Sequence, residues 1–355
     1  NTRAMGTESA RLGSQLETLR TRTEALSRAQ QAQARNLESR SAYRAQMMDA
    51  AALGGALYGL VQPAVKFESV MADVKKVVDF DTPAEFAQMS KDVLLLSTRL
   101  PMAADGIGAI VAAAGQAGIA REELLRFAED AAKMGVAFDL SGDQAGAAMT
   151  GMRSIFGLTQ DGAVRLGDAI NHLSNSMDAR ASDLLNISNR AGSTAKLFGL
   201  SGAQVNALGA SFLALKTKPE VAATGINALL MKLATADKQG AKFQEGLFQI
   251  GMSAEVMKKM IAEDAQGALL TFLERVKTAP DVMGTLSDLF GMEYADDIGK
   301  LVGSLDTYKN ALGLVADEQN YAGSMEKEYA ARAATTENNL QLLKNQIARL
   351  GITIG

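Results

Sequence analysis

No cysteine and no tryptophan occur in the 355 residues, and histidine occurs once. The first absence removes disulfide frameworks, thiolate zinc sites, iron–sulfur clusters and thiol nucleophiles together. A single histidine leaves no His₂ or His₃ metal cage and no HExxH pair. Aromatics make up 5% of the chain, so a core has to be built from Ala, Leu, Ile, Val and the 17 Met. Long apolar runs are missing too. Ala50–Val61 and Ile107–Ile119 are the most apolar stretches, both are shorter than 18 residues and both are broken by Gly, so no membrane-spanning helix is expected. No basic leader with an apolar centre is visible near residue 1. The net charge of −4 gives no global basic field, so specific nucleic-acid binding is not expected. Residues 1–46 carry eight Arg against four Glu, net +4, which leaves −8 for the rest. Those Arg read as a solvated helical face or as a surface for an acidic partner.

What is present is helical. Ala fills about 60 positions, the strongest helix former. Residues 1–62 read as a long, partly heptad N-terminal helix: Leu12, Leu16, Leu19, Thr23 and Leu26 form a 4-3 seam that turns polar at Gln30, Gln33 and Arg40. Past Met47 the helix becomes apolar on most sides, at Leu53, Leu57, Leu60 and Val61, and Pro63 is expected to end or restart it.

Residues 63–303 read as a compact body of short helices with strong punctuation. Thr82-Pro83 with Glu85, Ser141 with Gln144 and Ser201 with Gln204 have capping-box spacing, and Pro219-Glu220 opens a helix. Gly118-Ile119, Gly157-Leu158, Gly199-Leu200 and Gly251-Met252 place a left-handed residue and an apolar fold-back at helix ends. The corners at Gly157 and Gly199 match at an offset of 42, and Gly118 fits the same frame at 39. A period near 40 is the mark of stacked helical hairpins, and equally of good corners converging on the same residues. Val74–Phe80 is the lone β-branched cluster. Residues 304–355 read as a C-terminal coiled-coil segment, with Thr336, Leu340, Leu343, Ile347, Leu350 and Ile354 in strict 4-3 spacing. The expected fold is all-α: a multi-helix body, solenoid-like if the period is real, flanked by long N- and C-terminal coiled-coil-type helices.

Chemistry is scarce. His172 lies on an amphipathic helix without a Ser or metal-ligand companion, and reads as structural. Glu293, Asp296 and Asp297 share a helical turn, where a helix N-terminus favours acids without any cation. Gly106, Gly108, Gly115 and Gly118 match neither GxGxxG nor GxxxxGK[ST] and are expected to permit close helix packing. Met134, Met149, Met152, Met231, Met257 and Met260 are expected in the core. No catalytic, cofactor-binding or metal residues are assigned, and no enzyme is expected.

Several runs in order carry a resemblance: Phe67–Val74, Ala114–Ile119, Phe127–Phe138, Asp168–Asn175 and Leu289–Gly291. Together they resemble the core of the phage tail tape measure proteins, a family also found in tail-derived contractile bacteriocins. The resemblance spans about Phe67 to Val302, and the flanks share only their helical character with the family. It implies a structural virion protein, assembled in the host cytoplasm and located in the tail tube lumen at the baseplate. There it would set tube length, anchor at the hub and leave ahead of the genome. The partners implied are the tube, baseplate hub or spike proteins, tail assembly chaperones and, at ejection, the host membrane. The flanking heptads favour self-association as a small cyclic multimer, such as a trimer. Family members are usually much longer, so this chain is expected to be part of a larger protein. Nothing in these residues supports the peptidoglycan-cleaving domain that some members carry. The alternatives are a helical membrane-inserting or toxin-like protein, and a cellular α-solenoid adaptor, which would need the 40-residue period to continue cleanly past Pro219.

Overall fold

The computed structural model describes residues 54–354, and Pro63–Gly355 forms one compact unit. Among the described residues there are seventeen α-helices and no strand. They are α1 (Gly54–Val77), α2 (Pro83–Ser97), α3 (Ala104–Gln116), α4 (Leu124–Phe138), α5 (Gly142–Phe156) and α6 (Gln160–Ser176). Next come α7 (Ala181–Phe198), α8 (Gly202–Ala214), α9 (Pro219–Ala234), α10 (Ala241–Gln249) and α11 (Ala254–Glu263). The chain ends with α12 (Ala265–Lys277), α13 (Val282–Phe290), α14 (Met292–Gly303), α15 (Leu305–Leu314), α16 (Ser324–Ala333) and α17 (Thr336–Ile354). The N-terminal seam Leu12–Leu26 lies outside the described residues.

The corners form as the sequence dictates. Gly118, Gly157, Gly199 and Gly251 have φ of 74°, 68°, 109° and 66°. In each the following amide reaches back five residues, as when Ile119 N–H donates to the Ala114 carbonyl and Leu200 N–H to Ala195. That is the Schellman closure, which satisfies end carbonyls the helix cannot. Thr82, Ser141 and Ser201 each accept from the amide three residues on, while Glu85, Gln144 and Gln204 return the bond to the cap's own amide. Two corners of the same geometry have no glycine: Asp139 and Lys216 hold φ of 57° and 64°. Pro63 neither ends nor restarts a helix but lies inside α1. A proline costs one backbone bond and strains the preceding turn. The following turns carry four apolar anchors, Phe67, Met71, Val74 and Val78, all buried in the core, and they offset that loss. Val74–Val77 of the β-branched cluster is the end of this helix.

From α3 to α9, each helix packs on the one two places along. Helices α3, α5, α7 and α9 form one layer and α4, α6 and α8 the other. This is hairpin stacking of the solenoid kind. Small residues set the spacing: a Cβ on Gly142 of α5 would fall on the backbone of Gly106 in α3, and one on Gly108 would meet Val70 Cγ1 at 2.5 Å. Gly106, Gly108 and Gly115 of the glycine-rich patch thus sit at close contacts, whereas Gly118 has open space around it and makes a left-handed corner instead. Helix α15 then crosses α8, and α16 crosses α4 and α6, so the C-terminal helices cover the outside of the second layer. Helices α10–α14 build the remaining lobe, in which α10 packs on α13 and α11 on α12. Phe272 and Phe290 meet edge-on there at 5.9 Å, a favoured aromatic geometry.

Candidate functional site

The candidates from the sequence are dispersed. His172 is half-buried on α6. Glu293, Asp296 and Asp297 sit on α14, where Lys300 Nζ pairs with Asp296 at 2.8 Å and Asp297 at 3.0 Å. The charge of that cluster is thus partly met by a cation from its own helix. Among the described residues no group of three or more His, Asp or Glu is placed to hold a metal ion. Met134, Met149, Met152 and Met257 are core residues, Met260 packs on the edge of the core, and Met231 is half-exposed.

The densest polar arrangement joins α6 to α16. Asp168, buried on α6, accepts the backbone N–H of Gly323 at 3.0 Å and of Met325 at 2.9 Å. These are among the first, otherwise unpaired amides of α16, so a carboxylate over 150 residues away in the chain acts as that helix's cap. One turn on, Asn171 Nδ2 donates to the Ser324 hydroxyl at 2.8 Å and to its carbonyl at 3.0 Å. Gly167 leaves room for Met325, whose sulfur would be 2.8 Å from a Cβ there. Around this contact Lys133 pairs with Glu326 at 3.3 Å and Arg165 with Glu318 at 3.4 Å. Burial pushes the Asp168 carboxyl above its ordinary range, the two amides pull it back, and Glu318 and Glu326 add to the rise. The resulting contact is a clasp that positions a helix and carries no reactive group.

A second clasp holds α17. Asn345 is buried, and its Nδ2 donates to the carbonyls of Ser97 at 2.8 Å, the last residue of α2, and of Leu100 at 3.3 Å and Met102 at 2.8 Å just beyond it. Gln341 Nε2 supports it by donating to Asn345 Oδ1 at 2.8 Å. Asn338 and Asn339 cap the last carbonyls of α16, at Arg332 and Ala334. The docked face of α17 carries these amides together with Ile352, which packs against the core. The 4-3 seam points the other way: Leu340 and Leu343 are 52% exposed, Ile347 45% and Leu350 64%. The sequence identified the seam, but the amides that dock the helix carry no local signal, because their partners are about 245 residues away. Asp168 and Asn171 lie within one of the runs that carry the family resemblance, yet their role depends on Gly323–Met325, which no local spacing links to them.

The family model described as phage-related minor tail protein matches residues 90–291, more than half of the chain. A protein of Halomonas phage phiHAP-1 named "Probable tape measure protein" is 34% identical over 341 residues. The match takes in 91% of this chain and 39% of that protein, so the chain spans well under half the length of this relative. No solved structure matches the chain.

Proposed function

Since this chain belongs to the phage-related minor tail proteins, the family of the tail tape measure, we propose that its folded part anchors the tape measure and is not the measuring length itself. The protein is a tail component of a virion. In our reading it lies in the tube lumen at the baseplate end, bound to hub or spike proteins. It meets assembly chaperones before that, sets tube length through further helical chain, and is expelled with the genome into the host envelope. Its copies form a small cyclic multimer about the tail axis, and its role is structural and not catalytic.

One observation carries the proposal: between α2 and α16 the chain turns after helices of at most 18 residues, many of the turns made by left-handed glycines or side-chain caps. A helix advances about 1.5 Å per residue, so a continuous rod of this chain would span about 530 Å. Layers stacked two helices apart use that length to build thickness instead. A ruler shortened by n residues shortens the tube in proportion, whereas a damaged anchor stops assembly. In-frame removal of the hairpin α7–α8 from the full-length gene is therefore expected to abolish tails or leave them unattached to baseplates in electron micrographs. Intact tails shortened in proportion to the deletion would refute the anchoring role.

A further inference from the structure

Beyond α15 the way the chain is held changes. Helix α15 is set in the core by Leu305, Tyr308 and Ala311. Among the described side chains of residues 316–354, Tyr321, Met325 and Asn345 are buried, with Tyr329 and Ile352 packed on the edge of the core. Helix α4, at 15 residues, buries nine of its own. What holds the last two helices is largely polar: Asp168 and Asn171 on the start of α16, Asn345 on the turn after α2, and the pairs Lys133–Glu326 and Arg165–Glu318. Segments with few buried apolar contacts are the ones that open locally while the rest of a protein stays folded. We propose that residues 316–354 form a strap that opens as one unit from a body that remains folded, uncovering the face of α4 and α6 beneath it.

The polar chemistry of both clasps makes the opening reversible. A donor and an acceptor that part each regain water, so a hydrogen bond released to the surface loses little net free energy, whereas parted apolar faces lose their whole gain. The Asp168 carboxyl, which burial pushes above its ordinary range, is hydrated once α16 leaves, and its charge no longer opposes the environment. The carbonyls of Ser97, Leu100 and Met102 are met by water in the same way. Met325, in the notch that Gly167 leaves, is the buried apolar side chain that α16 withdraws. The two helices travel together because Asn338 and Asn339, in the first turn of α17, donate to the Arg332 and Ala334 carbonyls at the end of α16. Residues 316–320, all exposed, join the strap to α15. A pull on the chain at α17 therefore meets the two clasps before it reaches α15. Drawn straight, the strap would reach about 130 Å at about 3.3 Å per residue. It is a reserve of length that yields before the stack does; that consequence rests on the anchoring role, while the opening itself does not.

Hydrogen exchange of the full 355-residue chain in rising, sub-denaturing urea tests this. Amides of α16 and α17 are expected to open at least about tenfold more often than those of α4–α8, with one urea dependence shared by both helices. Asn345→Ala removes the clasp of α17, and Gly167→Ala fills the seat of Met325 under α16. Each is nonetheless expected to raise the opening of both helices by about tenfold and to leave the amides of α5, α7 and α8 as in the parent. Exchange of α16 and α17 in step with α4–α8 overturns the strap. Helices that each answer only to their own variant overturn the single unit. The chain has no native cysteine, so Lys66→Cys and Leu350→Cys, both at exposed positions, give specific handles for optical tweezers. A first step of roughly 100 Å in contour length, ahead of a larger one, is expected; a single step for the whole chain overturns the reserve of length. Tails that shorten in proportion on removal of α7–α8, with strap exchange as expected, refute the anchor and leave the strap standing; the opposite pattern separates them the other way.

Discussion

Replacing Asp168 separates the two opposing parts of the α6–α16 clasp. In Asp168→Ala the amides of Gly323 and Met325 lose their acceptor, and the second of these bonds is buried. An unmet buried donor costs about 1–3 kcal/mol and a lost helix cap about 1, so the loss for the pair comes to about 2–4 kcal/mol. Asp168→Asn keeps the shape. Its carbonyl oxygen accepts one amide, its NH₂ faces the other, and the buried charge is gone. Loss of one bond and relief of the desolvation cost nearly cancel, leaving about 0–1 kcal/mol at neutral pH. The pH dependence follows from the direction of the titration. Burial, with Glu318 and Glu326, raises the carboxyl from its ordinary 3.8 in the folded protein, while Arg165 and Lys133 stand nearby, paired to those same glutamates. The folded state therefore binds this proton more tightly than the unfolded one. The contribution of Asp168 is complete below the unfolded value and declines as pH rises through the folded value. Urea unfolding of parent and Asp168→Asn from pH 4 to pH 7 should show the difference in stability moving in favour of the amide as pH rises. An alanine variant no weaker than the asparagine one, or a difference independent of pH, would refute this account of the clasp.

Two glycines are expected to respond differently. Gly142→Ala drives a methyl into the backbone of Gly106 and should cost about 2–3 kcal/mol by overpacking the α3–α5 crossing. Gly118→Ala has open space around it but a φ of 74°, so only the left-handed backbone resists, at about 1–2 kcal/mol; thermal melts rank the pair, and equal losses would contradict it. Tyr308 is buried and its hydroxyl exchanges hydrogen bonds with Gln266. Burial pushes the phenol far above its usual range, so it should not ionise in an alkaline absorbance titration short of unfolding. Tyr308→Phe should cost about 1–2 kcal/mol by leaving the Gln266 amide unpaired.

Local grammar made much of the fold legible. Each Gly-apolar corner and each Ser/Thr–Gln/Glu box is written within six residues, the range over which helix ends are decided. Asp139 and Lys216 were illegible because nothing marks a non-glycine residue as left-handed, although Asp tolerates that region better than most. Pro63 misleads because its local backbone cost is overridden by the tertiary burial of Phe67, Met71 and Val74, which no local window contains as energy. The clasps depend on pairs separated by over 150 and about 245 residues, which one sequence does not connect. The leucine seam of α17 was readable as a seam, while the direction it faces is fixed by Asn345.

Helix α16 closes over α4 and α6, which precede it by well over a hundred residues. A ribosome adds about 5–20 residues per second, so the outer face of α4 waits roughly 10–40 s between its own synthesis and the arrival of its cover. Through that interval the second layer is stacked but roofless, and the Asp168 carboxylate has no amides to hold. The order of synthesis thus leaves the mixed surface that α16 covers, with the seat of Met325 and the polar groups of Asp168 and Asn171, open to water until the chain is nearly complete.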